Sequence, residues 1–126
     1  MFTLSPRSYK RLEGVHPDLV RVVERAIAIT EVDFVVLEGL RTKERQVELV
    51  KAGASRTMNS RHITGHAVDL GAWVNKEVRW DWPLYAKIAT AMKKAATEQN
   101  VPIVWGGDWR TFKDGPHFEL NRSKYP

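Results

Sequence analysis

Helical and β-type patterns follow one another along this chain in an order that favours an α+β fold. Two helix-like segments come first, and strand-like segments then interleave with further helices, one of them long. Chains with this order generally pack their helices against a sheet whose strands run mainly antiparallel. We therefore predict an α+β fold with a small, largely antiparallel sheet packed against helices.

The individual elements are predicted from helix caps, apolar spacing and turn residues. Helices are expected from Ser5-Pro6 to about Gly14, over residues 17–30, from a cap at Thr42 to a stop at Gly53, and from Asp81 to about residue 99. Strands are expected over residues 34–37, 66–74, 78–80, 101–105 and 116–120. The polar residues 54–65 between them are predicted to form a loop.

The length and the absence of breaks indicate one domain spanning residues 1–126. The 126 residues suit a single core, and no repeat or linker-like tract interrupts them. The apolar runs are far shorter than the ~20 residues of a membrane span, so no stable membrane insertion is expected. The first residues lack the basic start and apolar stretch of a secretory signal.

The charge balance leaves several partners open. Lys and Arg outnumber Asp and Glu by 20 to 15, for a formal charge of +5, which speeds encounters with polyanions. Acidic wall polymer, anionic lipid and nucleic acid all carry such charge, and a modest positive charge also aids solubility. Because the basic residues are scattered rather than clustered in one stripe, nucleic-acid binding is the least favoured function.

Two segments of the chain combine histidine with carboxylate. They are residues 60–69, SRHITGHAVD, and residues 114–119, DGPHFE. The chain has no cysteine, so any metal must be held by imidazole and carboxylate groups. A catalytic zinc ion commonly takes three such ligands and keeps a fourth position for water. Together the two segments supply a complete set.

Strand alternation selects the ligands in the first segment. If the chain is extended from His66 onward, Asp69 faces the side opposite to His66. Gly65 permits a tight turn, so His62 in the loop is able to fold back toward Asp69. His62 and Asp69 are therefore the predicted ligands from this segment.

Alternation also selects the ligand in the second segment. On the last strand His117 and Glu119 share one face, while the residues after each of them are apolar and face the other way. The predicted metal ligands are therefore His62, Asp69 and His117, at the edge of the sheet. We call this set the metal centre.

Three further residues are predicted to act at the metal centre. Asp114 precedes His117 by three positions, near enough to take a proton from an activated water, and is the candidate general base. Arg41, at a strand-to-helix junction, is predicted to supply fixed positive charge to an oxyanion or to a substrate carboxylate. Ser60 is predicted to hydrogen-bond within the loop and to orient His62.

These segments resemble a known family of zinc peptidases. The pattern Ser-x-His-x-x-Gly-x-Ala-x-Asp over residues 60–69, with an acid-x-x-His near the end of the chain, is similar to that of the VanY-like D-alanyl-D-alanine carboxypeptidases and dipeptidases. The segments WGGDW at 105–109 and FKDGPHF at 112–118 look like those of the phage L-alanyl-D-glutamate endopeptidases. An aspartate at position 114 also fits these endolysins, since the dipeptidase branch carries glutamate there.

The resemblance implies Zn²⁺ as cofactor and the same roles for the residues that spacing selects. Arg41 matches the family's arginine, although Leu40 stands before it where an aromatic residue is common. The implied function is that of a monomeric phage endolysin that cuts peptidoglycan stem peptides between L-alanine and D-glutamate. Such an enzyme is made in the host cytoplasm without a signal peptide and reaches the periplasmic wall after membrane permeabilisation.

Two alternatives to this function remain open. One is a D-alanyl-D-alanine carboxypeptidase that trims terminal D-alanine from the same peptides. The other is a non-catalytic wall-binding module with a vestigial zinc site, against which the intact Asp114 argues.

Other histidines and aromatic residues have less specific surroundings. His16 precedes Pro17 and is expected to cap a helix or lie on the surface. His66 is expected either beside the metal ligands or packed under the sheet. For Trp105 and Trp109, which flank the loop that leads to Asp114, a substrate-facing position and a structural one both remain open.

Four remaining side chains are assigned structural roles. Trp73 and Trp80 are interpreted as core residues, because aromatic residues in a chain of this size are more often buried than exposed. Arg56 and Arg61 are interpreted as solvated loop charges rather than as contacts to a substrate.

Overall fold

The computed structural model describes residues 1–55 and 57–126. Its elements are α1 (Pro6–Arg11), α2 (Pro17–Ile29), β1 (Phe34–Glu38), α3 (Lys43–Lys51), β2 (Ala67–Val74), β3 (Glu77–Arg79), α4 (Trp82–Gln99), β4 (Ile103–Trp105) and β5 (His117–Leu120), with a turn of 3-10 helix at Gly106–Asp108. They follow the predicted order. The α+β fold with an antiparallel sheet is confirmed.

The sheet is antiparallel and is arranged around β2. Its main strand order is β1-β2-β5-β4, and β3 folds back on the end of β2. Ala72 of β2 pairs with Phe34 of β1 on one side and with Arg79 of β3 on the other. β5 pairs with the start of β2, on the same side as β3. Both strands that supply predicted ligands, β2 and β5, therefore lie inside the sheet.

Alternation along β2 and β5 separates an apolar face from a polar one. Val68, Leu70, Phe118 and Leu120 are fully buried and pack with apolar stripes of α2 and α4 in one core. Burying a side chain of this size contributes about 1.5–3 kcal/mol relative to leaving it exposed. A register slip of one residue would turn all four toward solvent, so the core fixes which side chains reach the polar face.

The predicted helix starts are present with one difference. Ser5, His16 and Thr42 each cap a helix by accepting a hydrogen bond from a backbone N–H two or three residues on, at 3.1 Å in each case. Asp81 occupies the N-cap position of α4 but makes no capping bond. Its carboxylate instead accepts from Arg79 at 2.9 Å, because β3 ends two residues before it.

Three structural interpretations of side chains are wrong. Trp73 and Trp80 are 37% and 61% exposed rather than part of the core. Trp73 lies on the face of β2 opposite the core residues Val68 and Leu70, and Trp80 lies in the connection between β3 and α4. Arg61 is not a solvated charge, because its guanidinium donates to the backbone carbonyls of Leu120 and Tyr125. Arg56 lies outside the described residues.

A membrane-spanning helix is absent from residues 1–55 and 57–126, since none of the helices there combines the required length and apolar character.

Candidate metal centre

Three potential ligand atoms meet on the polar face of the sheet, at the start of β5. Oδ1 of Asp69 lies 3.2 Å from Nε2 of His62 and 3.2 Å from Nδ1 of His117. The ligand atoms of the three residues all lie within 4.8 Å of one another. Ligands at about 2.1 Å from a tetrahedral zinc ion are themselves about 3.4 Å apart. The donor set therefore fits a single divalent cation.

Hydrogen bonds on the outer side of each imidazole decide which ring nitrogen stays free. Nδ1 of His62 lies 2.8 Å from the carbonyl oxygen of Gly39, so this nitrogen carries the hydrogen and donates it. Nε2 of His117 lies 2.9 Å from Oε1 of Glu119 and donates to that carboxylate. The ring nitrogens that face Asp69 are Nε2 of His62 and Nδ1 of His117. Each can offer its lone pair to a metal once the ion takes the place of the hydrogen shared with Asp69.

Sheet register and a tight turn bring the three ligands together. Asp69 and His117 pair directly across β2 and β5, which makes their side chains nearest neighbours. His62 enters from a turn in which Gly65 has a φ of +77°. A Cβ atom on Gly65 would lie only 2.4 Å from the carbonyl oxygen of Gly14. Glycine is therefore needed there both for the left-handed backbone and for the close approach.

The ligands also determine one another's protonation. Burial alone would raise the pKa of Asp69, but hydrogen bonds from His117 and His62 outweigh it and hold that pKa well below its ordinary value. Burial alone would lower the pKa of His117, but its bonds to Asp69 and Glu119 raise it to about 9. Asp69 is thus a carboxylate at neutral pH, and a metal must displace a proton from His117 in order to bind.

Asp114 lines the same cleft as the ligands and is held by the loop before β5. Its N–H donates to the Gly106 carbonyl at 3.0 Å, and its own carbonyl accepts from the N–H of His117 at 3.2 Å. Burial and repulsion by Asp69 raise the pKa of Asp114, against the attraction of His117, His62 and Arg41. A carboxyl group with a raised pKa is suited to accept a proton and to return it.

Arg41 presents a fixed positive charge beside the ligands. Its Nη2 lies 3.9 Å from Oδ2 of Asp69. Glu38 accepts from Nε at 2.7 Å and from Nη2 at 2.9 Å, and the buried Gln46 accepts from Nη1 at 2.7 Å. Burial would lower the pKa of Arg41, but Glu38 raises it, so the guanidinium stays charged. Its side chain is only 9% exposed, and these bonds leave it little freedom.

An open cleft with a volume of about 560 Å³ contains these groups. Ser60 and Trp109 also line it, and the Trp109 ring lies 5.2 Å from the ring of His117. Oγ of Ser60 accepts from the backbone N–H of His62 at 3.2 Å, which is a contact within the loop of the predicted kind. The cleft thus offers a substrate both charged groups and aromatic surface.

Trp105 and His66 take positions away from the ligand atoms. Trp105 stacks on the core residue Phe118, with ring centroids 6.3 Å apart, and donates its indole N–H to the loop carbonyl of Gly115 at 2.7 Å. The His66 ring lies 5.7 Å from that of His16. Within the described part of the chain, the group of possible metal ligands does not include His66.

Sequence reasoning missed the residues that hold the site in place. Strand alternation already places Glu119 on the same face as His117, two residues further on, and this could have predicted the contact between their side chains. Glu38 holds Arg41 because a register shift between Val36 and Glu38 places Glu38 opposite Asp69, and no sequence pattern indicates that shift. Gln46 belongs to α3, which is mainly polar, and the spacing of apolar residues in this helix does not indicate that Gln46 is buried.

The site combines two imidazoles and one carboxylate with a further carboxyl group in the same cleft. In an α+β fold, this arrangement is typical of a metallopeptidase. Comparison with known proteins makes the class specific. Residues 1–122 match the family described as phage L-alanyl-D-glutamate peptidase. The chain is 30% identical over 128 residues to the L-alanyl-D-glutamate peptidase of Escherichia phage T5, covering 98% of this chain and 93% of that protein.

Solved structures agree with this match. The crystal structure of the L-Ala D-Glu endopeptidase ChiX of Serratia marcescens is 52% identical with a TM-score of 0.92, covering 96% of this chain and 91% of that one. The D,D-dipeptidase VanXYg is 21% identical with a TM-score of 0.57, covers 84% of this chain and 50% of that one, and shares the fold. The chain belongs to the phage L-alanyl-D-glutamate peptidase family, so it is a peptidase and the resemblance recognised in its motifs is confirmed.

Proposed function

We propose that this protein is a zinc-dependent endopeptidase that hydrolyses the bond between L-alanine and D-glutamate in peptidoglycan stem peptides. The observation that carries the proposal is the convergence of His62, Asp69 and His117 within 4.8 Å, in a cleft that Asp114 also lines. Membership of a peptidase family described by this bond supports the choice of substrate. The phage relatives support a role as an endolysin that acts on the host cell wall.

The donor set favours zinc as the metal. Two imidazoles and a carboxylate, in a chain without cysteine, form a ligand set typical of catalytic zinc with one open position. His62 would hold the ion through Nε2, His117 through Nδ1 and Asp69 through a carboxylate oxygen. When bound, zinc polarises a substrate carbonyl and lowers the pKa of a water to about 7.

Asp114 moves the proton in this mechanism. As a carboxylate it accepts a proton from the attacking water while the water oxygen bonds to the alanyl carbonyl carbon. As a carboxylic acid it then donates that proton to the nitrogen of D-glutamate, so the carbon–nitrogen bond breaks and a neutral amine leaves. A pKa raised by burial brings the two protonation states of Asp114 closer in free energy, which favours both transfers.

Arg41 stabilises the negative charge that develops on the carbonyl oxygen. Glu38 and Gln46 already hold the guanidinium in place, so little reorganisation is needed when that charge forms. The same bonds leave Arg41 able to act electrostatically without changing its own conformation.

Digestion of purified muropeptides by zinc-loaded protein tests this function. Mass spectrometry is expected to find fragments with a new N-terminal D-glutamate, and these should disappear with a chelator and return with added zinc. Release of D-alanine alone would instead identify a carboxypeptidase. Binding to the wall without any product, by folded and zinc-loaded protein, would identify a binding module.

A further inference from the structure

We propose that Glu119 is a positioning residue of the metal centre, which fixes the imidazole of His117 so that Nδ1 faces the metal. This proposal rests on the proposed function for the presence of the metal, and it concerns a residue outside the group of metal ligands. Glu119 acts through His117, and the positive charge of Arg61 lies beside it.

The contact between Glu119 and His117 is short and protected from solvent. Oε1 of Glu119 lies 2.9 Å from Nε2 of His117, and the two residues are 7% and 6% exposed. They lie on the same face of β5, two positions apart, so the strand itself sets their separation. Across the ladder Glu119 is paired with Ala67, whose methyl group offers no competing polar contact.

A second group of contacts keeps Glu119 charged and in position. Its other oxygen, Oε2, lies 3.9 Å from Nε of Arg61 and 3.6 Å from Nε of Arg122. Arg61 is itself held by the carbonyls of Leu120 and Tyr125, so its charge is fixed beside the carboxylate. A buried carboxylate is stable only with such a partner. The Arg122 side chain is 63% exposed and is held less firmly.

The two histidine ligands differ in the partner that orients them. His62 donates to a neutral carbonyl oxygen, that of Gly39, whereas His117 donates to a carboxylate. An ionised acceptor strengthens the hydrogen bond and makes the opposite ring nitrogen a better electron donor. The strength with which His117 binds a metal therefore depends on a side chain, that of Glu119. Substitution of Glu119 can test this dependence.

A purely structural role predicts something different. If Glu119 serves only to neutralise Arg61 inside the protein, its replacement changes stability and leaves metal affinity and the state of the His117 ring unchanged. If it positions His117, affinity and the ring signal change even in a variant that is fully folded.

The test compares Glu119→Ala, Glu119→Gln and the control Glu48→Gln with the wild-type protein. Glutamine keeps the size and the hydrogen-bond acceptor but removes the charge. Glu48 lies on α3 with a side chain 68% exposed, so its variant removes the same charge away from the metal centre. Zinc affinity is measured by competition with a chelator, and two-bond ¹H–¹⁵N spectra of zinc-loaded protein report the histidine rings.

We expect Glu119→Ala to weaken zinc binding by roughly 10–100-fold, Glu119→Gln to weaken it less, and Glu48→Gln to leave it unchanged. The wild-type spectrum should show hydrogen on Nε2 of His117 and on Nδ1 of His62, with the His117 signal alone moving in the variants. Folded variants with wild-type affinity and an unmoved His117 signal would overturn the proposal. If the alanine variant does not fold, the glutamine variant decides by the same two measurements.

Muropeptide cleavage measured in parallel separates this proposal from the proposed function. If the wild-type protein cleaves muropeptides but the variants bind zinc as tightly as the wild type does, only the proposed role of Glu119 is overturned. A loss of affinity in the variants, with no cleavage by the zinc-loaded wild type, overturns the endopeptidase function alone.

Discussion

Asp69 of β2 lies directly opposite His117 of β5, and Oδ1 of the aspartate is 3.2 Å from Nδ1 of the histidine. The metal centre is thus built on a cross-strand pair, whose side chains the backbone hydrogen bonds hold together. Only the third ligand, His62, comes from outside the strands. Sheet register, enforced by the core on the opposite face, therefore controls two of the three ligand positions.

Asp114 is expected to be needed for turnover but not for metal binding. Replacing Asp114 by Asn removes the proton acceptor while keeping its size, so kcat should fall about 10²–10⁴-fold with zinc content unchanged. Steady-state cleavage of a purified muropeptide, with metal analysis of the same sample, measures both. Asp108→Asn is the matched control, because Asp108 is an exposed acid before the same loop and pairs with Lys93. Full turnover by Asp114→Asn would remove Asp114 from the mechanism.

The charge of Arg41 is expected to act on kcat more than on KM. Arg41→Ala removes the donor for the developing oxyanion, so kcat should fall about 10²–10³-fold while zinc stays bound. Arg45→Ala, which removes an exposed arginine that pairs with Glu48 on α3, should leave kcat unchanged. A rise in KM with kcat preserved would assign Arg41 to substrate binding instead.

Much of this arrangement could be predicted from local sequence, and the remainder depends on distant parts of the chain. Alternation and glycine placement predict the strands, the ligand set and the turn at Gly65, since these depend on short-range geometry. Arg61 was misjudged because its partners Leu120 and Tyr125 lie 59 and 64 residues away. Trp73 was misjudged because its exposure depends on which face of β2 the helices cover. The residues next to Arg61 and Trp73 in the sequence therefore do not indicate the partners of the one or the exposure of the other.

Zinc affinity is expected to rise with pH through the titration of His117. Without metal, this histidine has a pKa of about 9, against an ordinary value of 6.5. Zinc binding through Nδ1 releases that proton, so apparent affinity should increase by about tenfold per pH unit as the pH rises toward about 9 and then level off. Calorimetric or chelator-competition titrations at several pH values measure this slope. An affinity that does not change with pH would show that His117 is already neutral.

Titration of His117 also affects the stability of the metal-free protein, which is expected to fall as the pH rises. Because the folded-state pKa of His117 is raised from 6.5 to about 9, the stabilisation by protonated His117 is complete below pH 6.5. It is lost as pH rises through about 9. Denaturant unfolding of metal-free protein should therefore show a lower free energy of unfolding at the alkaline end of this window. His117→Ala should abolish that slope, and a slope that persists in this variant would assign it to another group.

Gly65 is expected to tolerate no side chain, whereas Gly53 should tolerate alanine much better. Both have a left-handed backbone, with φ of +77° and +75°, but nothing lies within 4 Å of a Cβ atom at Gly53. Gly53→Ala should therefore cost only the backbone strain, about 1–2 kcal/mol of unfolding free energy. At Gly65 the added carbon meets the Gly14 carbonyl oxygen at 2.4 Å, so the turn itself must move.

We expect Gly65→Ala to lower the free energy of unfolding by about 3 kcal/mol or more, and to weaken zinc binding because His62 lies in the displaced turn. Denaturant unfolding and chelator competition on both glycine variants measure the two effects. The comparison isolates steric contact from backbone strain, since only the surroundings of the two glycines differ. Equal destabilisation by the two substitutions, with zinc affinity intact in both, would mean that the turn adapts and that the contact with Gly14 does not hold His62 in place.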